Sequence, residues 1–284
     1  MKKMTMTLFA RTPVHVGAGN SVGAVDSPIQ RERHTRIPII PGSSLKGVLA
    51  DLWNEKDSNG KWVRSPTGKE LFGEDEGGKK VDGKEIQAKA GSLLIGEARV
   101  LAFPVRSAKG MFAWITCPLV LERFARDRDI QCPDLPALTE NQCLSSGSIL
   151  LENTAVLEEY RIESVGDANA IVELLKSVCS DSVWSSMPER LVVLSNDLFS
   201  YFVEQACEVV SRIRINDETG VVAKGALFNQ EQVPSETLFY SAIFVDDTKI
   251  PDAEDKLKDM LSAGFLQVGG DASTGLGYCS VEVL

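Results

Sequence analysis

Long hydrophobic runs, paired cysteines and histidine are all scarce or missing in this 284-residue sequence. No apolar run approaches the length that a membrane-spanning helix needs, so no membrane partner is expected. The six cysteines include no C-x-x-C pair, so neither a zinc site nor a disulfide framework is predicted, and we expect reduced thiols. No nucleotide fingerprint, Ser/His/Asp arrangement or clustered metal ligands stand out, which makes a metabolic enzyme a distant candidate.

The first residues, MKKMTMTLFARTP, lack a signal-peptide hydrophobic region and a cleavage site. We therefore expect a cytoplasmic protein. With 43% hydrophobic and 25% charged residues, the composition is that of an ordinary globular protein. The length allows one elaborated domain or two small ones.

Charge is distributed unevenly along the sequence. The net charge of −10 argues against nucleic-acid binding over the whole surface. Residues 1–50 nevertheless hold seven Lys/Arg against two Asp/Glu, whereas residues 51–284 hold 23 against 38. A basic end on an acidic body predicts one directed electrostatic face, so any nucleic-acid contact should be local.

The stretch from Thr12 to Gly47 concentrates the chemistry of the chain. Its glycines, Gly17, Gly19 and Gly23, permit tight turns or close approach to a ligand, and Asn20 and Ser21 add small donors. The following segment, 26–36, is interrupted by a proline, and its Arg31, Arg33, His34 and Arg36 share no apolar face. We expect an exposed, mobile loop there.

The segment GSSLKG, residues 42–47, predicts a glycine turn, a serine N-cap and the start of a helix. Lys46 then falls in the first turn, where free backbone N–H groups favour a phosphate. Spacing alone also permits an ordinary surface loop followed by a capped helix, because GSSLKG lacks the full P-loop spacing.

Several segments together resemble the RAMP superfamily, and within it the backbone-subunit family of type III-B CRISPR effector (Cmr) complexes. The resemblance follows almost the whole chain in order. Its segments are TPVHVGAGNSVGAVDSPIQRERHT (12–35), IPGSSLKG (40–47), FPVRSAKGMFAWITCPLVLERF (103–124), RINDETGVVAKGALFNQEQVPSETLFYS (214–241) and LQVGGDASTGLGYCSVEVL (266–284). The first and fourth segments point to this subunit, whereas GSSLKG and the late glycine loop indicate only the superfamily.

The resemblance implies an α+β fold with a ferredoxin-like, RRM-related palm, helical finger insertions and a projecting thumb hairpin. Residues 1–284 would form one elaborated RAMP domain, with the palm built from both termini. Residues 57–91, rich in Gly, Lys, Glu and Asp, are predicted to be a variable insertion, and residues 212–240 the thumb region.

The resemblance also implies a function. The chain would bind guide CRISPR RNA as a backbone subunit and act as a metal-dependent endoribonuclease on complementary target RNA. Its partners would include copies of itself in a head-to-tail filament and other subunits of the effector complex. Two alternatives stay open: a non-catalytic RNA-binding scaffold, and the backbone subunit of a type III-A complex.

Asp26 matches the family's catalytic aspartate. A loop carboxylate beside an RNA kink could hold a mostly hydrated divalent ion, in the first instance Mg²⁺, or act directly as a base. Without the family match, Asp26 would be an Asx-turn residue before Ser27 and Pro28.

Several residues are expected to contact RNA. They are His15, Arg31, Arg33, Ser43, Ser44, Lys46, Gly269, Gly270, Ser273, Thr274 and Gly275. The last five belong to a glycine-rich loop that the resemblance puts beside the guide, although spacing alone favours a hairpin loop. His15 is expected on the RNA side; the alternative is a core histidine bonded to a backbone carbonyl.

In the thumb region, Phe228 could wedge against a base or could belong to a small core under the hairpin. Glu231 matches an acidic position of the family motif near the cleavage centre, although such a residue alone would more often be a solvated surface charge. Gln232 stands where the family often carries an aromatic residue, so a stacking role there is doubtful.

Hydrophobic periodicity predicts the regular elements. Strands are expected at 4–10, 93–101, 156–162, 212–215, 237–245 and 278–284, and helices at 44–53, 118–124, 168–178, 196–210 (capped by Asn196) and 251–261. Asp217–Gly220 is a strong turn signal between two strand-like runs, which predicts a projecting hairpin.

Overall fold

The structure is a computed structural model that describes residues 1–19, 24–74, 80–81, 84–85, 88–216, 218–223, 226–246, 248–250 and 252–284. The α-helices of this described part are α1 (Gly42–Asp51), α2 (Pro66–Phe72), α3 (Pro118–Arg128), α4 (Asn169–Leu175), α5 (Asn196–Gln205) and α6 (Ala253–Leu261). Its strands are β1 (Lys2–Ala10), β2 (Ile39–Ile40), β3 (Asn54–Lys56), β4 (Trp62–Arg64), β5 (Lys80–Val81), β6 (Lys84–Glu85), β7 (Leu93–Arg106), β8 (Phe112–Thr116), β9 (Gln142–Leu144), β10 (Thr154–Leu157), β11 (Tyr160–Gly166), β12 (Leu191–Leu194), β13 (Glu208–Arg212), β14 (Phe228–Gln232), β15 (Leu238–Val245), β16 (Phe265–Gln267) and β17 (Tyr278–Val283).

A large mixed sheet forms the centre of the molecule. Its strand order is β10-β11-β9-β12-β8-β7-β15-β1-β17-β16, and β2 pairs with β7 outside this path. The strands β7, β15, β1 and β17 are antiparallel to their neighbours, so the two ends of the chain lie side by side. The expectation of an α+β fold is confirmed.

The first strand is buried on both faces, although its alternating sequence is typical of a half-exposed strand. Thr5 and Thr7 are buried, as are Met4, Met6 and Leu8, which alternate with them. The hydroxyl of Thr7 donates to the Val178 carbonyl at 2.8 Å, which meets the requirement that a buried polar group be bonded.

An aromatic cluster fills the core beside this strand. The ring centroids of Trp114 and Trp184 are 5.0 Å apart, and Phe9 packs edge-on against Trp184 at 6.0 Å. The Trp114 indole N–H donates to the Glu236 carbonyl at 2.8 Å. These contacts tie β1 and β8 to the segment that leads into β15.

Three predictions of secondary structure are wrong in detail. The predicted strand 156–162 is the hairpin β10–β11, because Glu158 has a φ of 49° and turns the chain. The helix predicted to reach residue 210 ends at Gln205, and its cap is the Ser195 hydroxyl, which accepts from the Leu198 N–H; the Asn196 side chain accepts from Leu119 N–H instead. Residues 208–212 form β13, so the projecting hairpin starts earlier than predicted.

The predicted turn and insertion are only partly described. Asp217, in the predicted turn, lies outside the described residues, as do parts of the predicted insertion 57–91. Within that insertion the structure has β4 and the helix α2, which periodicity did not predict. The short hairpins β3–β4 and β5–β6 pair within themselves.

The start of β7 packs closely on the end of α2. A Cβ atom on Gly91 would stand 2.3 Å from the Leu71 carbonyl oxygen and 2.6 Å from the Gly73 nitrogen, both backbone atoms. A Cβ on Gly47, which is exposed within α1, would meet nothing within 4 Å. Of these two positions, only residue 91 has surroundings that require a glycine.

We therefore predict opposite effects for two alanine substitutions. Gly91→Ala should lower the free energy of unfolding by about 1–3 kcal/mol, because backbone must move to admit the methyl group. Gly47→Ala, the matched control, should raise it by about 0.5–1 kcal/mol, because alanine is favoured over glycine inside a helix. Urea denaturation measures both; equal midpoints for the two variants would contradict the close packing.

Candidate functional site

The segment that carries Asp26 lies alongside β14 as a short parallel strand. The Ser27 N–H donates to the Asn229 carbonyl at 3.0 Å, and the Glu231 N–H donates to the Ser27 carbonyl at 2.9 Å. Asp26 itself is exposed, and one of its carboxylate oxygens accepts from the Asn229 N–H at 2.8 Å. The backbone therefore fixes this carboxylate at the surface with one oxygen engaged.

The Glu231 side chain holds the Asp26 segment against β14 from the buried side. Its carboxylate, 12% exposed, accepts from the Ile29 N–H at 3.0 Å through one oxygen and from the Arg31 guanidinium at 2.5 Å through the other. The interpretation of Glu231 as a solvated surface charge is therefore wrong. The carboxylate joins β14 to the segment that follows Asp26.

The Arg31 side chain is buried and bonded to protein groups, so the prediction that it binds RNA directly is wrong. Only 4% of its side chain is exposed, and the guanidinium also donates to the Arg36 carbonyl at 2.7 Å and the Val203 carbonyl at 3.0 Å. Four of its five N–H donors bond to protein acceptors, the fourth acceptor being the Cys207 sulfur, and the side chain has almost no surface open to a phosphate. The prediction failed because local sequence could not reveal Glu231 as its partner.

The charge of Arg31 survives its burial. Burial acts to lower the pKa of Arg31, but its contacts with Cys207 and Glu231 outweigh that effect and raise the pKa above the ordinary value. Burial raises the pKa of the Cys207 thiol to about 12, so this thiol is protonated at neutral pH. The guanidinium thus has one charged partner, Glu231, at this site.

His15 lies at the centre of the same cluster and is buried. Its Nδ1 is 2.7 Å from the Glu231 carbonyl oxygen, and its Nε2 is 3.2 Å from the Ser27 hydroxyl. Because a carbonyl can only accept, Nδ1 carries the proton, and in the neutral ring Nε2 accepts from Ser27. The ring makes the backbone-carbonyl bond that was the alternative to an RNA contact; a role of His15 toward RNA stays a prediction.

The glycine-rich loop near the C-terminus touches this cluster directly. The Gly270 N–H donates to the His15 carbonyl at 3.0 Å, and a Cβ on Gly269, where φ is 83°, would stand 2.3 Å from that same oxygen. Gly270 and Ser273 are exposed. The backbone of the loop therefore comes so close to the His15 carbonyl that Gly269 could not carry a Cβ atom without a clash. The other side of the loop faces solvent.

Side chains on the β13–β14 hairpin hold the other end of this loop. The Gln230 amide donates to the Asp271 carboxylate at 2.6 Å, and the Arg212 guanidinium donates to the Thr274 hydroxyl at 3.2 Å. Gln230 and Asp271 were not predicted as site residues. No motif marks them, because each is recognisable only through the other, 41 positions away.

Phe228 begins β14 opposite Arg212 and keeps 40% of its surface exposed. It is therefore not a core residue, and its neighbour Leu227 is 65% exposed. Gln232 is buried and donates to the Gln230 side chain at 3.1 Å. That burial leaves Gln232 no surface on which a base could stack.

The predicted site at the start of α1 lies apart from this cluster. Helix α1 begins at Gly42 after the N-cap Pro41, with no side-chain cap, so the predicted serine cap is wrong; Ser43 and Ser44 occupy the first turn. No contact among the described residues joins Lys46 to the Asp26 cluster. Lys46 and Ser43 instead line a cavity beside residues 88–90.

Two further predictions stay untested by these contacts. Arg33 is exposed, and its guanidinium has no hydrogen bond or ion pair with any described residue, so it stays a predicted RNA contact, as does Gly275, where φ is 88°. The predicted donors Asn20 and Ser21 and the glycine Gly23 of the first glycine loop lie outside the described residues.

The loop between Arg31 and Ile37 is also held by charge. The buried Glu32 carboxylate accepts from Arg123 at 2.9 and 3.0 Å and from the Thr35 hydroxyl at 2.5 Å. Burial acts to raise the pKa of Glu32, but the bond from Thr35 and the contact with Arg123 outweigh it and hold the pKa below the ordinary value. The loop is therefore anchored at both Arg31 and Glu32, contrary to the expectation of a loosely held segment.

The described residues contain no group of three or more His, Cys, Asp or Glu that could hold a metal ion. Asp26 offers a single exposed carboxylate with one oxygen already bonded. Such a residue can hold a mostly hydrated Mg²⁺ only together with oxygens from another molecule, such as RNA phosphates.

Comparison with known proteins agrees with the sequence resemblance. The model of the RAMP superfamily matches residues 7–280. The CRISPR system Cmr endoribonuclease Cmr4 of Pyrococcus furiosus is 36% identical over 299 residues, which cover 100% of this chain and 96% of that protein. The crystal structure of oligomeric Cmr4 from the same organism superimposes with a TM-score of 0.74 at 30% identity, covering 100% of this chain and 98% of that chain.

A shorter match bears on the alternative of a type III-A backbone subunit. The CRISPR system Cms endoribonuclease Csm3 of Streptococcus thermophilus is 34% identical over 103 residues, which cover 34% of this chain and 43% of that protein. The match to Cmr4 extends over the full chain, whereas the match to Csm3 covers a third of it.

The geometry of His15 predicts a stabilising role. His15→Ala should lower the free energy of unfolding by about 1–3 kcal/mol, because the Glu231 carbonyl and the Ser27 hydroxyl lose their partner. His15→Asn should restore part of the loss, since its amide can donate from near the Nδ1 position. Chemical denaturation with a stability fit measures both variants.

The other histidine provides the control. His34 has an exposed side chain beside Arg123, so His34→Ala should change stability by less than about 0.5 kcal/mol. If His15→Ala unfolds at the same denaturant concentration as the unmodified protein, the two bonds of the ring do not stabilise the cluster.

Proposed function

The chain belongs to the RAMP superfamily and, within it, to the Cmr4 family, and from this premise we propose that it is a guide-RNA-bound backbone subunit of a type III-B complex that cleaves target RNA. One observation carries the proposal: Asp26, the residue matched to the family's catalytic aspartate, is exposed and fixed by the Asn229 N–H, which lies near the loop end of the β13–β14 hairpin. A surface carboxylate held this firmly is suited to act on a bound strand.

The connection of the central strands supports a ferredoxin-like palm. Helix α1 lies in sequence between β1 and β7, which run parallel with β15 between them; helix α6 lies between β15 and β17, which run parallel with β1 between them. Two interleaved βαβ units of this kind define the ferredoxin-like arrangement. Apart from the β13–β14 hairpin, the remaining strands and helices are then the finger insertions.

The separate β13–β14 sheet supports the thumb assignment. Among the described residues this sheet pairs beyond itself with the Asp26 segment, at Ser27, and Val233, which follows β14, pairs with Val14. Phe228 and Val209 in the sheet and Leu227 just before it are exposed. Exposed apolar side chains on a hairpin are suited to separating stacked bases. Phe228 is the candidate wedge because it directly precedes Asn229, whose N–H holds Asp26.

The chemistry follows from this position. A base displaced beside Phe228 would kink the target, and a kink can align a ribose 2′-hydroxyl with the adjacent phosphate. Asp26 would then assist proton movement at the 2′-hydroxyl, or would hold a hydrated divalent ion with RNA phosphate oxygens; that ion, in the first instance Mg²⁺, would stabilise charge developing on the phosphate. His15 and Glu231 position the strand that carries Asp26.

The proposed partners follow from the family. They are guide CRISPR RNA, complementary target RNA, copies of this chain in a head-to-tail filament and other subunits of the effector complex. Base pairing selects the target, so the protein supplies register and chemistry. No helix of the described residues is long and apolar enough to cross a membrane; the cytoplasmic location stays a proposal.

Two alternatives are distinguished by experiment. A non-catalytic scaffold would bind guide and target without cleaving the target in the assembled complex. A type III-A backbone subunit would co-purify with the subunits of that complex in a pull-down, and the full-length match to Cmr4 favours type III-B.

Replacing Asp26 tests the catalytic role. Asp26→Asn keeps an oxygen that can accept the Asn229 N–H but removes the charge, so target cleavage in the assembled complex should fall by at least about 100-fold. Guide binding, assembly and target binding should be unchanged. If an ion acts at this site, chelator should stop cleavage and added divalent metal should restore it.

Asp167→Asn is the matched control. Asp167 is an exposed carboxylate that accepts a backbone N–H, from Asn169 at 3.0 Å, before helix α4. This variant should cleave normally. Normal cleavage by Asp26→Asn in a fully assembled complex would contradict the catalytic role of Asp26.

A further inference from the structure

A basic cleft lies along helix α2, apart from the Asp26 cluster. Two adjoining cavities form it and share Arg64, Glu74 and Lys89. We call it the α2 cleft and define it by the cations that line it: Lys46, Arg64, Lys69, Lys89 and Lys249. Against these five cations the described lining has two acids, Glu70 and Glu74.

This charge is opposite to that of the protein as a whole. The chain carries a net charge of −10, whereas the described residues lining the α2 cleft carry a net charge of +3 from five cations and two acids. A concave surface of one sign on a body of the other sign concentrates oppositely charged ligands. The occupant of this cleft should therefore be an anion.

Two of the cations have no protein partner in the described part of the chain. The ammonium groups of Lys46 and Lys89 are exposed and make no hydrogen bond or ion pair there. Lys69 pairs only with Glu74, at 3.7 Å. Arg64 is 3.9 Å from Asp51, and its Nε is buried without a hydrogen-bond partner among the described atoms. Lys249 is 3.7 Å from Asp246. The uncompensated positive charge of the described lining is therefore that of Lys46 and Lys89.

The backbone that carries Lys89 is held rigidly. The Glu74 N–H donates to the Lys89 carbonyl at 3.0 Å, and Lys249 donates to the next two carbonyls, of Ala90 and Gly91, at 3.2 and 3.1 Å. The close contact of Gly91 with the end of α2 completes the support. Lys249 therefore holds this segment in place, and Lys89 lies on a backbone fixed by these bonds and by its bridge to Glu74.

The start of α1 adds donors to the same cleft. Ser43 lines it, in the first turn of a ten-residue helix whose N-cap, Pro41, offers no side-chain bond to the free N–H groups. These N–H groups and the unpaired Lys46 favour a phosphate at one end of the cleft. Lys89 and Arg64 lie further along it, so a single small anion would engage only part of the site.

We propose that the α2 cleft holds an RNA strand through its phosphodiester groups, with Lys89 and Arg64 as contacts beyond the predicted contact at Lys46. The spread of cations across two adjoining cavities matches a ligand with successive negative charges. The cleft offers no exposed aromatic side chain among its described lining, so the contact is to the backbone and is independent of base sequence. This inference rests on the proposed function, which makes RNA the polyanion.

The test uses the full chain and a fluorescent single-stranded RNA oligonucleotide, with binding followed by anisotropy over a range of salt concentrations. Lys89→Ala should weaken binding about fivefold at 0.1 M salt and reduce the slope of log affinity against log salt by about 0.7, the value for one phosphate contact. Lys89→Glu should weaken binding further, and Lys89→Arg should preserve it.

Lys176→Ala is the matched control. Lys176 is an exposed lysine that does not line the α2 cleft; it follows helix α4 and pairs with Glu173 of that helix. This variant should bind RNA as the unmodified chain does. Unchanged affinity and slope in both Lys89→Ala and Lys89→Glu would overturn the inference.

The same preparations separate this inference from the proposed function. If Lys89 variants bind normally while Asp26→Asn abolishes target cleavage in the assembled complex, the cleft proposal fails and the proposed function stands. If Lys89 variants lose affinity while Asp26→Asn cleaves normally, the cleft stands and the catalytic proposal fails. An unmodified chain that binds no RNA would overturn the inference, while the proposed function would still be decided by target cleavage in the assembled complex.

Discussion

The buried ion pair between Arg31 and Glu231 is the contact on which the site depends. It joins two segments 200 positions apart, and its carboxylate also fixes the Ile29 N–H. Removing one partner of a buried pair leaves the other charge uncompensated, at a cost of about 3–5 kcal/mol. Few single contacts in a domain matter this much, because total stability is only about 5–15 kcal/mol.

Around this pair, the buried residues hold the segments of the site in position, and the exposed residues face the ligand. His15 and Gln230 are buried and connect the Asp26 segment, β14 and the glycine-rich loop. Asp26, Phe228 and Gly270 are exposed on the elements so connected. Such a division suits a subunit whose target is chosen by base pairing, since the protein needs a fixed surface and no base-specific readout.

Much of the palm could be predicted from the sequence, because strands such as β1 and β17 have strong local periodicity and lie near the ends of the chain. The limits of helix α5 could not, since the apolar residues Val209 and Val210 continue its spacing although they belong to the exposed strand β13. The catalytic role of Asp26 was predicted from the family resemblance alone. The burial of Arg31 was missed because an arginine among arginines in a loop is typical of an exposed cation, and its partner lies far away in sequence.

Hydrogen exchange of backbone amides in Glu231→Gln measures most directly whether this ion pair holds the site together. Glutamine keeps the shape and can still accept from Ile29, but it leaves Arg31 unpaired. If the pair holds the segment, exchange at Ser27 and Ile29 should speed up by about 100-fold or more, as expected for the loss of about 3 kcal/mol of local stability, while amides of β1 keep their protection. Unchanged protection at Ser27 and Ile29 would contradict the role assigned to the Arg31–Glu231 pair.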